Sequence, residues 1–145
     1  MVPLRPEEKA LDRKALEWLR EDYDAVDGRF SPDGRLLAYM SNEKDVLTMQ
    51  VYVRPFDSAK PDAPAGPAVQ VTNVKGGAGG MLWRQDGKEM YFLTRDREAM
   101  AVDITTTPPV QTGTPRLLFK FSDPLVGAGD ASPDGQRFVV AMPVK

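Results

Sequence analysis

The chain has 145 residues, a formal net charge of −2 and a pI near 5.2, and 41% of it is hydrophobic. That length is one domain by the ordinary prior and can bury a core of its own. The faintly acidic balance argues against nucleic acid as the main partner, which would demand a concentrated basic surface. With no cysteine and no histidine, disulfides, thiolate catalysis, Cys-ligated zinc and any Ser-His-Asp or Cys-His device built within the chain are excluded.

The chain opens MVPLRPEEKALDRK, which lacks the basic stretch and apolar run of a signal peptide, so none is expected. No apolar run approaches the roughly 20 residues that span a bilayer, so no membrane insertion is expected. Residues 1–23 read as a segment apart. In RPEEKALDRKALEWLRED, Pro6 suits a first helical turn and Glu7 and Glu8 complement the helix dipole. Leu11, Ala15, Trp18 and Leu19 share one helical face. A helix over 6–21 is one reading of the segment. The following EDYDAVDG places Asp22, Asp24 and Asp27 before Gly28. It lacks the ordered ligand spacing and closing Glu of a calcium loop, so these read as solvated acids. No metal or cofactor is expected.

A short phrase then recurs. GRFSPDGRLLAY at 28–39 returns as LWRQDGKEMYFL at 82–93 and as GDASPDGQRFVV at 129–140. The pairs Asp33-Gly34, Asp86-Gly87 and Asp134-Gly135 lie 53 and then 48 residues apart, close to the period of about 40–50 residues of a propeller blade. Asp-Gly between apolar runs signals a hairpin, because Gly accepts positive φ. Pro32 and Pro133 preset the first central turn position, and the aspartates can hold backbone amides. Ser31 and Ser132 have no histidine partner and are expected to bond their own turns. These acids therefore read as turn-holders rather than catalysts.

Strands are expected at 36–41, 48–56, 68–72, 89–94, 98–104, 116–121 and 137–142, with loops at 57–67 and 105–115. Runs such as LLAYM are apolar throughout and suit strands covered on both faces. In TMQVYVRPF, Met49, Val51 and Val53 point one way and Gln50, Tyr52 and Arg54 the other. Four short strands per period make one antiparallel blade, and stacked neighbours bury what one blade cannot. The expectation for 24–145 is an all-β partial β-propeller of about three blades, at 24–72, 80–121 and, incomplete, 125–142.

Taken in order, GRFSPDGRLLAYMSNE, VYVRPF, VKGGAGGMLWRQDGKEMYFL, AMAVDI, PRLLF and ASPDGQRFVV resemble the TolB-like, WD40-like propeller family over about residues 24–142. The resemblance is strongest to the C-terminal sensor propeller of bacterial serine/threonine kinases, though no kinase motif occurs here. It implies a parent protein that is extracytoplasmic, in the periplasm. It also implies terminal strands of a preceding blade before residue 24, with MVPL and EWLR as candidates, the alternative to a helix there. Such propellers have six or more blades, so two copies completing each other's terminal blades would give six.

Of the remaining features, GGAGG at 76–80 lacks the Lys-Ser/Thr ending of a phosphate loop and reads as a crossing between blades. Trp83 and Tyr91 are expected to pack between blades. Trp18, Tyr52 and Arg54 are candidates for an interaction surface, since aromatics and Arg are enriched at hot spots. The expected function is a non-catalytic binding, sensing or scaffold module that associates with itself. Alternatives are the substrate-gating propeller of a prolyl-oligopeptidase-type peptidase, which would need a Ser elbow and a His supplied elsewhere, or an excised or designed repeat fragment.

Overall fold

Three reversals organise the chain. In the first, the Gly34 amide donates to the Ser31 carbonyl at 2.8 Å and the Ser31 amide to the Leu36 carbonyl at 2.9 Å. The same two bonds close Arg84–Glu89 and Ser132–Arg137. Gly34, Gly87 and Gly135 adopt φ of 74°, 72° and 73°, left-handed values that glycine takes without a Cβ clash.

The computed structural model describes residues 25–107, 109–121 and 127–141. The helix read over 6–21, Trp18, Asp22 and Asp24 lie outside the described residues. The described residues are all-β with no helix, and so no helix long and apolar enough to cross a membrane. A first antiparallel sheet runs β1 (Ala25–Phe30), β2 (Leu36–Ser41), β3 (Gln50–Pro55) and β4 (Val69–Gln70) in spatial order. A second contains β5 (Ala78–Trp83), β6 (Glu89–Thr94), β7 (Glu98–Thr105), β8 (Gln111–Thr112) and β9 (Arg116–Lys120). A third pairs β10 (Gly127–Ala131) with β11 (Phe138–Ala141).

The second sheet departs from the four strands expected of each period. β7 is eight residues long and, on the edge away from β6, serves two partners. Its beginning pairs with β9, whereas its end, Ile104 and Thr105, pairs with the two-residue β8 inside a stretch read as loop.

The repeat reaches beyond the turns. β1 slips register against β2 between Val26 and Arg29, β5 against β6 between Gly79 and Leu82, and β10 against β11 between Gly127 and Asp130. These sites keep the same spacing as the Asp-Gly pairs. Asp27 and Gly80 hold φ of 58° and 59° within the first two bulges, where an extra residue needs an unusual backbone.

Packing follows from strand alternation. Leu36, Ala38, Val51 and Val53 of the first sheet join Met81, Met90, Phe92, Val102 and Ile104 of the second in one buried cluster. The other face of β6 turns Tyr91 onto Phe138 of the third sheet, with centroids 5.0 Å apart at 87°. Phe119 meets the same ring at 5.4 Å. The middle sheet is thus covered on both faces. The Trp83 indole N–H also ties β5 to the Arg29 carbonyl of β1, at 3.2 Å. Tyr52 does point away from Val51 and Val53. It is, however, only 1% exposed and lies stacked on Tyr39, so it is not available on the interaction surface for which its residue type nominated it.

GGAGG is where β3 and β5 meet. The Ala78 amide donates to the Met49 carbonyl at 2.9 Å. Gly77 has φ of 93°, and a Cβ there would come 2.8 Å from that same oxygen. Gly77→Ala should therefore lower unfolding stability in urea by about 2 kcal/mol, the cost of a strained backbone position. Gly34→Ala, with nothing within 4 Å of a new Cβ, should lose only about 1 kcal/mol.

Candidate functional site

The first and third turns are closed by the same side-chain bonds. The Ser31 hydroxyl donates to Asp33 Oδ1 at 2.6 Å and accepts from the Leu36 amide at 3.0 Å. The Arg35 amide donates to the same Asp33 oxygen at 3.0 Å. Ser132 and Asp134 repeat all three bonds with Arg137 and Gln136. The middle turn has Arg84 where the others have serine. Its Nε donates to Asp86 Oδ1 at 2.9 Å, beside the Lys88 amide at 2.9 Å.

These bonds stabilise the ionised carboxylates. Asp86 is held below the usual range first by Arg84 and then by the Lys88 amide. Asp134 is lowered by Ser132 and the Gln136 amide. For Asp33 burial works against ionisation, but the Ser31 hydroxyl and the Arg35 amide outweigh it and leave the carboxyl below the usual range.

The three turns gather at one end of the sheets. A Cβ on Gly87 would meet Pro32 Cδ at 3.5 Å. One on Gly135 would overlap the Tyr91 hydroxyl and lie 3.1 Å from Arg84 Cδ. Pro133 stays exposed.

Beside them runs a chain of charges. Glu89, 7% exposed, accepts through Oε2 from Arg84 Nη1 at 3.2 Å and from Arg116 Nη2. Arg116 Nη1 reaches Asp103 Oδ1 at 3.2 Å. The chain Asp86–Arg84–Glu89–Arg116–Asp103 thus links the middle turn to β6, β7 and β9. Burial, and then the neighbouring Glu89, push the Tyr91 phenol up to about 12. A carboxylate held by two guanidiniums is a tie between strands. Sequence reasoning missed this chain, although its signal was present: Arg84 occupies the place of Ser31 and Ser132 in the aligned copies.

Concavities lie beside the sheets. One, of about 550 Å³, is lined by Asp27, Met40, Met49, Gly77, Leu93 and Arg95, around the glycine crossing. Another, of about 630 Å³, lies at the turn end between the loops 57–67 and 105–115, with Leu36, Pro55, Phe56, Pro67, Thr106 and Val110 in its lining. Arg54, proposed from sequence for a surface, is half-buried and donates through Nε to the Gly66 carbonyl at 3.2 Å. It thereby braces one wall of the second cavity. Among the described residues no group of three or more acidic side chains is placed to hold a metal ion.

No family model matches the chain, and no curated protein matches it.

Neutralising the central carboxylate leaves two guanidiniums without their shared counter-charge. Glu89→Gln should cost about 2 kcal/mol in urea unfolding, in the range for bonds to charged groups. Asp103→Asn, whose side chain is 70% exposed, should cost less than about 0.5 kcal/mol.

Proposed function

We propose that the chain is a non-catalytic module of the β-propeller kind, which binds or holds partners through its loops and pairs with a second copy of itself. One observation carries the reading: three successive sheets start with a bulged strand, reverse at the same Asp-Gly corner, and stack in chain order. Serial blades need this arrangement, because each sheet hides its faces only against its neighbours. The composition supports a non-catalytic role, since the chain offers neither histidine nor cysteine. The acids of the three corners are occupied in holding turns, and Glu89 in holding arginines.

Self-association is supported by the far side of the third sheet. Phe138 turns inward onto Tyr91 and Phe119, while its neighbour Val139, on the opposite face, is 73% exposed. Two paired strands are marginal alone and are strengthened by a covering layer. A second copy supplies one of the right chemistry, an apolar sheet face.

Sedimentation velocity at micromolar concentration should give the mass of two chains for the native protein and of one chain for Val139→Asp. A native protein that sediments as a single chain across that range overturns the pairing.

A further inference from the structure

We propose that the apolar cavity between the two proline-bearing loops is a binding site for a small molecule with an apolar body and one anionic group. The inference adds a ligand class to the binding reading above and rests on it. Its floor is Leu36, 1% exposed, and Val110 closes the second sheet's side while packing on the core. Pro55, Pro67 and Pro109 stand in the walls, and proline holds φ nearly fixed.

The first wall is braced on the sheet before any ligand arrives. The Ala65 amide donates to the Pro55 carbonyl at 3.0 Å, and the Phe56 amide to the Arg35 carbonyl at 2.8 Å. Gly66 lies so close that a Cβ would come 2.9 Å from Pro55 Cγ. Arg54 adds its bond to the Gly66 carbonyl. A pre-formed, mainly apolar hollow of about 630 Å³ with few polar groups is the usual form of a small-molecule site. Bracing lowers the ordering cost of binding.

The polar groups set the ligand's charge. Arg35 lines the cavity and is exposed. Among the described residues no carboxylate forms an ion pair with its guanidinium. Asp33 is near enough to feel its charge, and its Oδ1 accepts from the Ser31 hydroxyl and the Arg35 amide. The guanidinium fork therefore keeps donors for an incoming carboxylate or sulfonate, whose geometry it matches.

Two fluorescent probes test this. Anilinonaphthalene sulfonate has an apolar aromatic body and one sulfonate, and phenylnaphthylamine has the same kind of body without the charge. Both should bind saturably. Arg35→Gln should weaken the sulfonate about tenfold, the loss of one charge-assisted contact, and leave the neutral probe unchanged. Val110→Trp and, in case that variant folds poorly, Thr106→Phe should abolish both by filling the space. Lys60→Gln, an exposed change in the same loop, should alter neither. Probe binding that survives the filled variants overturns the site, and equal sulfonate affinity in Arg35→Gln overturns the anion. A failed titration beside a two-chain mass counts against the cavity alone, and a successful one beside a one-chain mass counts against the pairing alone.

Discussion

Each hairpin closes because one carboxylate oxygen of an aspartate is claimed twice, by a side-chain donor two residues before it and by a backbone amide two residues after it. That pair of bonds fixes the reversal, and the glycine that follows absorbs the left-handed backbone it requires. Register then follows from the turn, and with it the face to which every apolar side chain is assigned. A slip of one residue in β6 would send Met90 and Phe92 to the side that carries Tyr91. The first core would be lost with the second contact.

The middle sheet has two different faces. Toward the first sheet it presents Met90, Phe92, Val102 and Ile104, all buried. Toward the third it mixes aromatic contacts with a chain of charges centred on Glu89. Of this chain only Glu89 is buried, for the side chains of Arg84 and Arg116 are 26% and 47% exposed. Its contacts tie strands together: Glu89 of β6 and Asp103 of β7 both accept from Arg116 of β9. Arg84 joins this chain to the turn, so the corner and the sheet are locked by one side chain.

Much of the fold is legible in the residues because its signals are local. LLAYMS and EMYFLT are strands over the ranges their patterns predict, and Ser31 and Ser132 bond their own turns. Trp83 and Tyr91 do lie between sheets. What escaped was set at a distance. The pairing of β7 with β8 depends on a chain reversal around Gly113, whose amide returns to the Asp103 carbonyl at 2.8 Å. The burial of Tyr52 depends on tertiary neighbours that alternation cannot name. The charge chain joins residues as far apart as Arg84 and Arg116, and no periodicity links them. The turn-end cavity was written as two stretches of loop, and only their convergence on Leu36 makes it a space.

The central claim is that equivalent corners of successive sheets lie against one another at one end. Nuclear Overhauser spectroscopy on the labelled protein tests it most directly. Cross-peaks are expected between the Pro32 δ protons and the Gly87 α protons, and between the Tyr91 ring and the Gly135 α protons. Well-resolved resonances without either cross-peak would contradict it.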